Sequence, residues 1–391
     1  MKTEQNQNLK TTIIIIIVTS IITSLTTAVI IFNNNKLTST INSINLSQDE
    51  ALQEFLSIYA SLTEDYYEDI DKQKMIEEII AAMFNYLGED YSTYLNKKET
   101  EQLTQKLEGE YQGVGIEIIN NNVIYNVFEN SPAQKIGLRV GDIILKVNNE
   151  DVINKLIPDL IKEGSSEVKL TIQRNEEILE FTMNIENVII KAIETEIIEK
   201  ENKRIGYIKI TTFSNTVYSQ FKTALSEMEN QNIDSLILDV RSNSGGYLTA
   251  ASSIASLFLE KGKVIYSLES KDEKQVYKDT TDEKRQYPVA VLINGASASA
   301  SEILAAALKD SYGATLIGTT SYGKGKVQQT KTLETGGMIK YTSSKWYTPN
   351  DVCIDGYGIT PNKEVHLPEY IEGVETEDTQ KEAAVNHLIG Q

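Results

Sequence analysis

The segments 235–240 and 289–293 are strongly apolar, and each leads into a stretch of helical pattern. Strands with so little polar alternation need cover, so they constrain the fold more than any other feature of the chain. After Lys191 the same order continues, with a strand over 205–210 and helices over 217–229, 247–259 and 299–309. Such alternation predicts an α/β core with helices laid against a sheet.

At 391 residues and 40% hydrophobic content the chain has room for two or three domains with real cores. A net charge of −19 argues against nucleic acid as a partner, because phosphate binding needs clustered Lys and Arg. The single cysteine, Cys353, excludes an internal disulfide, and no Cys/His spacing suits zinc. Residues 11–32 form 22 positions without a charge. As a helix they would span about 33 Å, enough for a bilayer core. Lys2, Lys10 and the terminal amine favour a cytoplasmic N-terminus of residues 1–10, hence a single-pass cell-membrane anchor. Thr26 and Ala28 also fit a signal-peptide cleavage site. Either way, the bulk of the chain is expected outside the cytoplasm.

Residues 33–46 read as a polar linker, and 47–100 as a helical region. Ser47-Gln48-Asp49-Glu50 has the form of a capping box, followed by Leu52, Phe55, Leu56, Tyr59 and Leu62 at helical spacing. A second helix has Asp71 near its start, Met75, Ile76, Ile79, Ile80, Met83, Phe84 and Leu87 on its apolar face, and Gly88 as its stop. Two such helices leave two outcomes open: packing within one chain, or a homodimer contact. From Glu110 the pattern turns to strands. Ser131-Pro132-Ala133 and Gly137-Leu138-Arg139-Val140-Gly141-Asp142 follow in order, with a helical piece over 152–161. Residues 101–190 thus resemble a PDZ domain. The turn Gly113-Val114-Gly115-Ile116 would offer backbone N–H groups to a peptide's terminal carboxylate, with a strand edge to extend. An ordinary small β-domain would use the same glycines only for turns.

Three segments carry chemistry. The first is Ser297-Ala298-Ser299-Ala300-Ser301-Glu302, at a strand-to-helix turn where small neighbours permit close approach and a helix N-terminus adds partial positive charge. Read alone, it is equally a helix cap with Ser301 at work. The second, Asp239-Val240-Arg241-Ser242-Asn243-Ser244-Gly245-Gly246, closes a buried strand with a glycine pair that frees N–H groups for an oxyanion or simply makes a turn. The third is Gly323-Lys324-Gly325-Lys326-Val327-Gln328. If extended, it places Lys324, Lys326 and Gln328 on one face, or else it is a solvated lysine turn. The only histidines are His366 and His387, near the end of the chain. A serine nucleophile here needs another base, and a lysine held neutral by burial is the natural one.

Together these segments resemble the carboxy-terminal processing (tail-specific) serine proteases, from about Ser47 to Pro368, including Asp90-Tyr91-Ser92-Thr93-Tyr94-Leu95. The resemblance implies a catalytic group of Ser299, Lys324 and Gln328, with the 25-residue gap selecting Ser299 over Ser297 and Ser301. It also implies an oxyanion hole from the Gly245 and Ala300 N–H groups, and a PDZ domain that receives apolar C-termini of protein substrates and gates the site. The chain departs from the family pattern at Ser244 and Asp90, where the family carries Pro, and at Asp351-Val352, where it carries Gly-Arg. The expected architecture is an α/β, crotonase-like protease core over 191–370, an inserted β-rich PDZ domain, the N-terminal helical region, a transmembrane helix and a tail over 371–391. The reaction calls for no metal or cofactor. Two other classes remain: a PDZ scaffold without turnover, and an acyl-thioester enzyme sharing the core.

Overall fold

The computed structural model describes residues 49–368 and 376–390, apart from 154, 156 and 163. The expected span at 11–32, the linker and Ser47 lie outside the described residues. Among the described residues no helix is long and apolar enough to cross a membrane. The chain divides after Ile80 into two units.

The described part of the first unit holds the helix Glu50–Asp65, capped by Asp49, whose Oδ1 accepts from Leu52 N at 3.1 Å. Ser47 was the expected cap; Asp49 takes that place because it is the nearest oxygen side chain ahead of the first turn. The helix Lys72–Leu87, within which the division falls, begins under Asp71, which accepts from Lys74 N, and stops at Gly88 with φ +64°. Neither helix has a buried residue, and Phe55, Leu56, Ile58 and Leu62 lie exposed.

In the second unit the central sheet has six strands. Ile193–Lys200 pairs antiparallel with Lys203–Ile210, and then Ser235–Asp239, Val289–Ile293, Thr315–Gly318 and Lys363–Glu364 follow in parallel. Every residue of Ser235–Asp239 and Val289–Ile293 is buried, as strands covered on both faces require. Alternate side chains feed two cores. Leu236, Leu238, Val289, Val291 and Ile293 pack with the helices Val217–Asn230, Leu248–Ser256 and Ala300–Ala307. Ile237, Ala290, Leu292, Ile205 and Tyr207 face the other way, against Ala384 and Val385 of the helix Thr379–Ile389.

That last helix lies in the segment expected as a tail, acidic and then weakly helical, and it packs on the core. Its sequence signal is weak because its buried side chains are small. What fastens it is Arg241, just past the end of Ser235–Asp239. The guanidinium donates to both oxygens of Asp239 (2.6–3.0 Å), to both of Asp378 (2.7–2.8 Å) and to Gln380 Oε1 at 3.0 Å. Asp378 also caps the helix, accepting from Lys381 N.

A second sheet joins Thr93–Leu95, Met338–Tyr347, Val264–Glu269 and Lys274–Lys278, with Lys326–Thr332 on Met338–Tyr347. The β-rich insertion has its own core around Ile124, Ile144, Leu170 and Ile172. Its strands run in the order Ile116–Ile119, Val123–Val127, Ile143–Val147, Glu167–Arg174 and Glu177–Asn184. Asp142 of the glycine-flanked motif is buried and makes a two-point pair with Arg174, both bonds 2.7 Å. Of the helix expected over 152–161, the described residues show a single 3₁₀ turn at Ile157–Leu160.

Asp239 is 1% exposed and Arg241 11%, so removing the guanidinium strands a buried carboxylate. Arg241→Ala is expected to lower stability by about 3–5 kcal/mol in urea denaturation. A change under about 1 kcal/mol, the scale of a surface pair, would contradict this placement.

Candidate active site

The three chemistry-bearing segments follow the carboxyl ends of neighbouring parallel strands: 240–246 after Ser235–Asp239, 294–299 after Val289–Ile293, and 319–325 after Thr315–Gly318. Clefts form at that edge of such sheets. The sequence order therefore becomes a spatial cluster.

Ser299 immediately precedes the helix Ala300–Ala307, with φ +56° and ψ −115°. A non-glycine residue there stores about 1–3 kcal/mol of strain, held by its surroundings. Ser297 and Ser301 are fully buried and structural: Ser297 Oγ donates to Val240 O and Ser301 Oγ to Asn243 O, each at 2.8 Å. Ser299 is only half-buried. Of the three serines it is the one presented toward solvent.

Glu302 ties these loops together, a role the sequence reading did not assign. It is 0% exposed. Its Oε2 accepts from Ser299 N (2.8 Å) and Lys324 N (3.0 Å), and its Oε1 from Gly323 N (2.7 Å) and Ser321 Oγ (2.6 Å). One carboxylate thus fixes the serine loop and the lysine loop to each other. Burial pushes its carboxyl above the ordinary range, while the four donors pull it back. The signal available in sequence was the acidic residue three positions into a helix.

Lys324 is half-buried. Burial lowers its affinity for a proton, the Lys340 ammonium adds to this, and Glu302 and Glu89 oppose it. Its backbone is pinned from the other side, where Trp346 Nε1 donates to Lys324 O at 2.8 Å. Gly323 has φ +88°, and a Cβ there would stand 2.7 Å from Gly358 N, so only glycine lets the loop lie against the 356–358 turn. The strand itself starts at Lys326, and a bulge falls between Val327 and Gln328. That bulge breaks the alternation expected to align Lys324, Lys326 and Gln328. The Gln328 amide donates to Thr342 Oγ1 at 3.3 Å.

Gly245 lies against the serine turn: a Cβ on it would come 2.9 Å from Ser299 Cβ and 3.1 Å from Ala300 N. Its φ is +105°, so glycine is required for both reasons. The expectation of a free Gly245 N–H is corrected in one respect, since that group donates to Asn243 Oδ1 at 2.9 Å in this arrangement. Asn243 is itself buried, with Nδ2 donating to Ile210 O. Ala300 is the first residue of its helix, where N–H groups have no partner within the helix.

In the β-rich insertion, Val114 O accepts from Ala133 N, and Gly115 O from Phe128 N. The Tyr111 ring folds over Gly113, where a Cβ would meet its Cε2 at 2.3 Å. The Tyr111 hydroxyl lies near the Gly115 and Ile116 N–H groups. The turn expected to hold a carboxylate therefore faces a phenol oxygen.

Comparison with known proteins gives the family. Residues 204–365 match the model of peptidase family S41, 123–174 the PDZ domain, and 21–100 the N-terminal domain of the activating protease CtpB. A probable CtpA-like serine protease of Staphylococcus aureus strain COL is 33% identical over 344 residues, covering 85% of this chain and 68% of that protein. One from Staphylococcus saprophyticus is 30% identical over 339 residues, covering 84% and 68%. The solved structure of a photosystem II D1 C-terminal processing protease superposes with a TM-score of 0.50 at 24% identity. It covers 84% of this chain and 90% of that one, and it is similar in fold. The chain belongs to peptidase family S41, among the CtpA-like, C-terminal processing serine proteases, and carries their PDZ domain.

Proposed function

We propose that this chain is an endopeptidase in which Ser299 is the nucleophile and Lys324 the general base. The observation that carries the reading is the Glu302 carboxylate, which accepts backbone N–H groups from both residues. In the reaction, the neutral Lys324 amine takes the Ser299 proton as Oγ forms a bond to the scissile carbonyl carbon. The tetrahedral oxyanion is held by the Ala300 and Gly245 N–H groups, the latter turned from Asn243 toward substrate. Collapse breaks the C–N bond, and the departing amine takes the proton from the Lys324 ammonium. Water then attacks the acyl ester, again with Lys324 as base, and releases Ser299. Gln328 orients the base once its amide leaves Thr342.

The substrates are proteins whose apolar C-termini bind the Gly113–Ile116 turn as an added strand, displacing the Tyr111 hydroxyl. Residues 11–32 anchor the protein in the cell membrane with the PDZ domain and the crotonase-like core outside the cytoplasm. The exposed apolar faces of Glu50–Asp65 and Lys72–Leu87 support a homodimer contact.

Assay on an unstructured protein with an apolar tail tests the assignment. Lys324→Ala is expected to lower kcat/KM by about 10²–10⁴-fold. Ser299→Ala is expected to cost at least as much. The base works only when neutral, so kcat/KM falls as pH drops through the Lys324 pKa, which lies below the ordinary lysine value of about 10.4. Undiminished cleavage by either variant overturns the reading in favour of a tail-binding scaffold. Glu302→Ala leaves four donors facing an empty site. Its expected cost is about 3–5 kcal/mol in denaturant unfolding, together with loss of turnover. Full turnover in this variant would show that the carboxylate does not organise the site.

A further inference from the structure

The motif 90–95 has a role that the catalytic group does not account for. Thr93–Leu95 pairs with Met338–Tyr347, placing Thr93 opposite Lys340, and the same long strand carries Lys326–Thr332 on its other side. Glu89 fastens the segment ahead of this strand. Its carboxylate accepts from the Ser92 hydroxyl, from Thr342 Oγ1 at 2.7 Å and from Lys326 Nζ at 3.2 Å. Held between these anchors, the Tyr91 ring has its centre 5.0 Å from Lys324 Nζ and 5.5 Å from Lys326 Nζ.

The two ammonium groups differ in what else they meet. Lys326 is paired with Glu89, whereas Lys324 makes no ion pair among the described residues. An aromatic face attracts a cation within about 6 Å and offers little to a neutral amine. Other charges face the same place. Glu302 from the helix Ala300–Ala307 and Glu89 from the 88–92 segment favour the Lys324 ammonium. Lys340 from Met338–Tyr347 opposes it, and Lys326 crowds the same ring. Asp90, Asp355 and Tyr322 face Tyr91 itself, and burial with these neighbours pushes its phenol up to about 12. The ring therefore stays neutral and keeps its attractive face across the working range.

We propose that Tyr91 is a positioning residue for the base: its ring face holds the Lys324 ammonium in place, so release of the neutral amine depends on where residues 88–92 lie. This rests on the reading of Lys324 as base and adds the element that controls it. The neutral amine has to form against the ring's preference. Any movement that lifts Tyr91 away then favours the reactive form.

The test uses the full chain with Tyr91→Phe, Tyr91→Leu and Tyr91→Met, each checked for an unchanged thermal midpoint. Two curves are measured: kcat/KM against pH, and, on a Ser299→Ala background, competitive acetylation of Lys324 against pH read by peptide mass. Leu and Met keep the site apolar but remove the ring. They are expected to move both curves down by about 0.5–1 pH unit, while Phe leaves both in place. An unmoved or upward-moved labelling curve with both Leu and Met overturns the proposal. So does a Phe variant that shifts as far as Leu, since the hydroxyl would then be the acting group. A labelling shift with no matching shift in the kcat/KM profile overturns the assignment of Lys324 as base instead.

Discussion

The site depends on a carboxylate placed where no water reaches it. Burying Glu302 is costly by itself, and the cost is offset only because four donors from two separate loops converge on its two oxygens. The arrangement works in both directions. The loops supply the hydrogen bonds that make a buried charge tolerable, and the charge holds Ser299 and the Gly323-Lys324-Gly325 loop in fixed relation. Ser299 keeps its strained backbone under this constraint, with its own N–H drawn to Glu302 and Gly245 packed beneath it. The strain is local, and the central strands of the sheet below are covered on both faces.

Much of this was legible in the sequence. The apolar segments near 237 and 291 could only be covered strands, and the turns that follow them hold the small residues and glycines that close approach demands. What escaped has definite physical reasons. The tail reads as weakly helical, but that the helix Thr379–Ile389 covers the second face of the sheet does not show, because Ala384 and Val385 are too little apolar mass to stand out beside an acidic stretch. The helix Lys97–Glu108 is mostly polar, with only Thr100 buried, so no apolar stripe marks it. A bulge next to Gln328 cannot be read from a period-two pattern, because one extra residue reverses every later side chain. The Asn243 contact to Gly245 N–H is a matter of side-chain rotamer, which sequence does not specify.

Two contacts give the structure the character of a resting arrangement. The Gly245 amide is bonded to Asn243 Oδ1, and the Tyr111 hydroxyl lies near the Gly115 and Ile116 amides. In the first case a side chain of the same chain occupies a donor that the proposed chemistry assigns to substrate, and in the second a phenol lies beside two such donors. The proposed role of Tyr91 is of a different kind, since its ring face lies over Lys324 Nζ and favours the ammonium form.

The claim beneath all of this is that one hydroxyl, at residue 299, becomes nucleophilic because one amine, at residue 324, receives its proton. The most direct test is reaction of the full chain with a peptidyl phosphonate ester of apolar sequence, followed by intact mass and peptide mapping. The account predicts a single adduct on Ser299, formed faster as pH rises and not formed when Lys324 is replaced by Ala. An adduct on another serine, or labelling of Ser299 at an unchanged rate without the lysine, would contradict it.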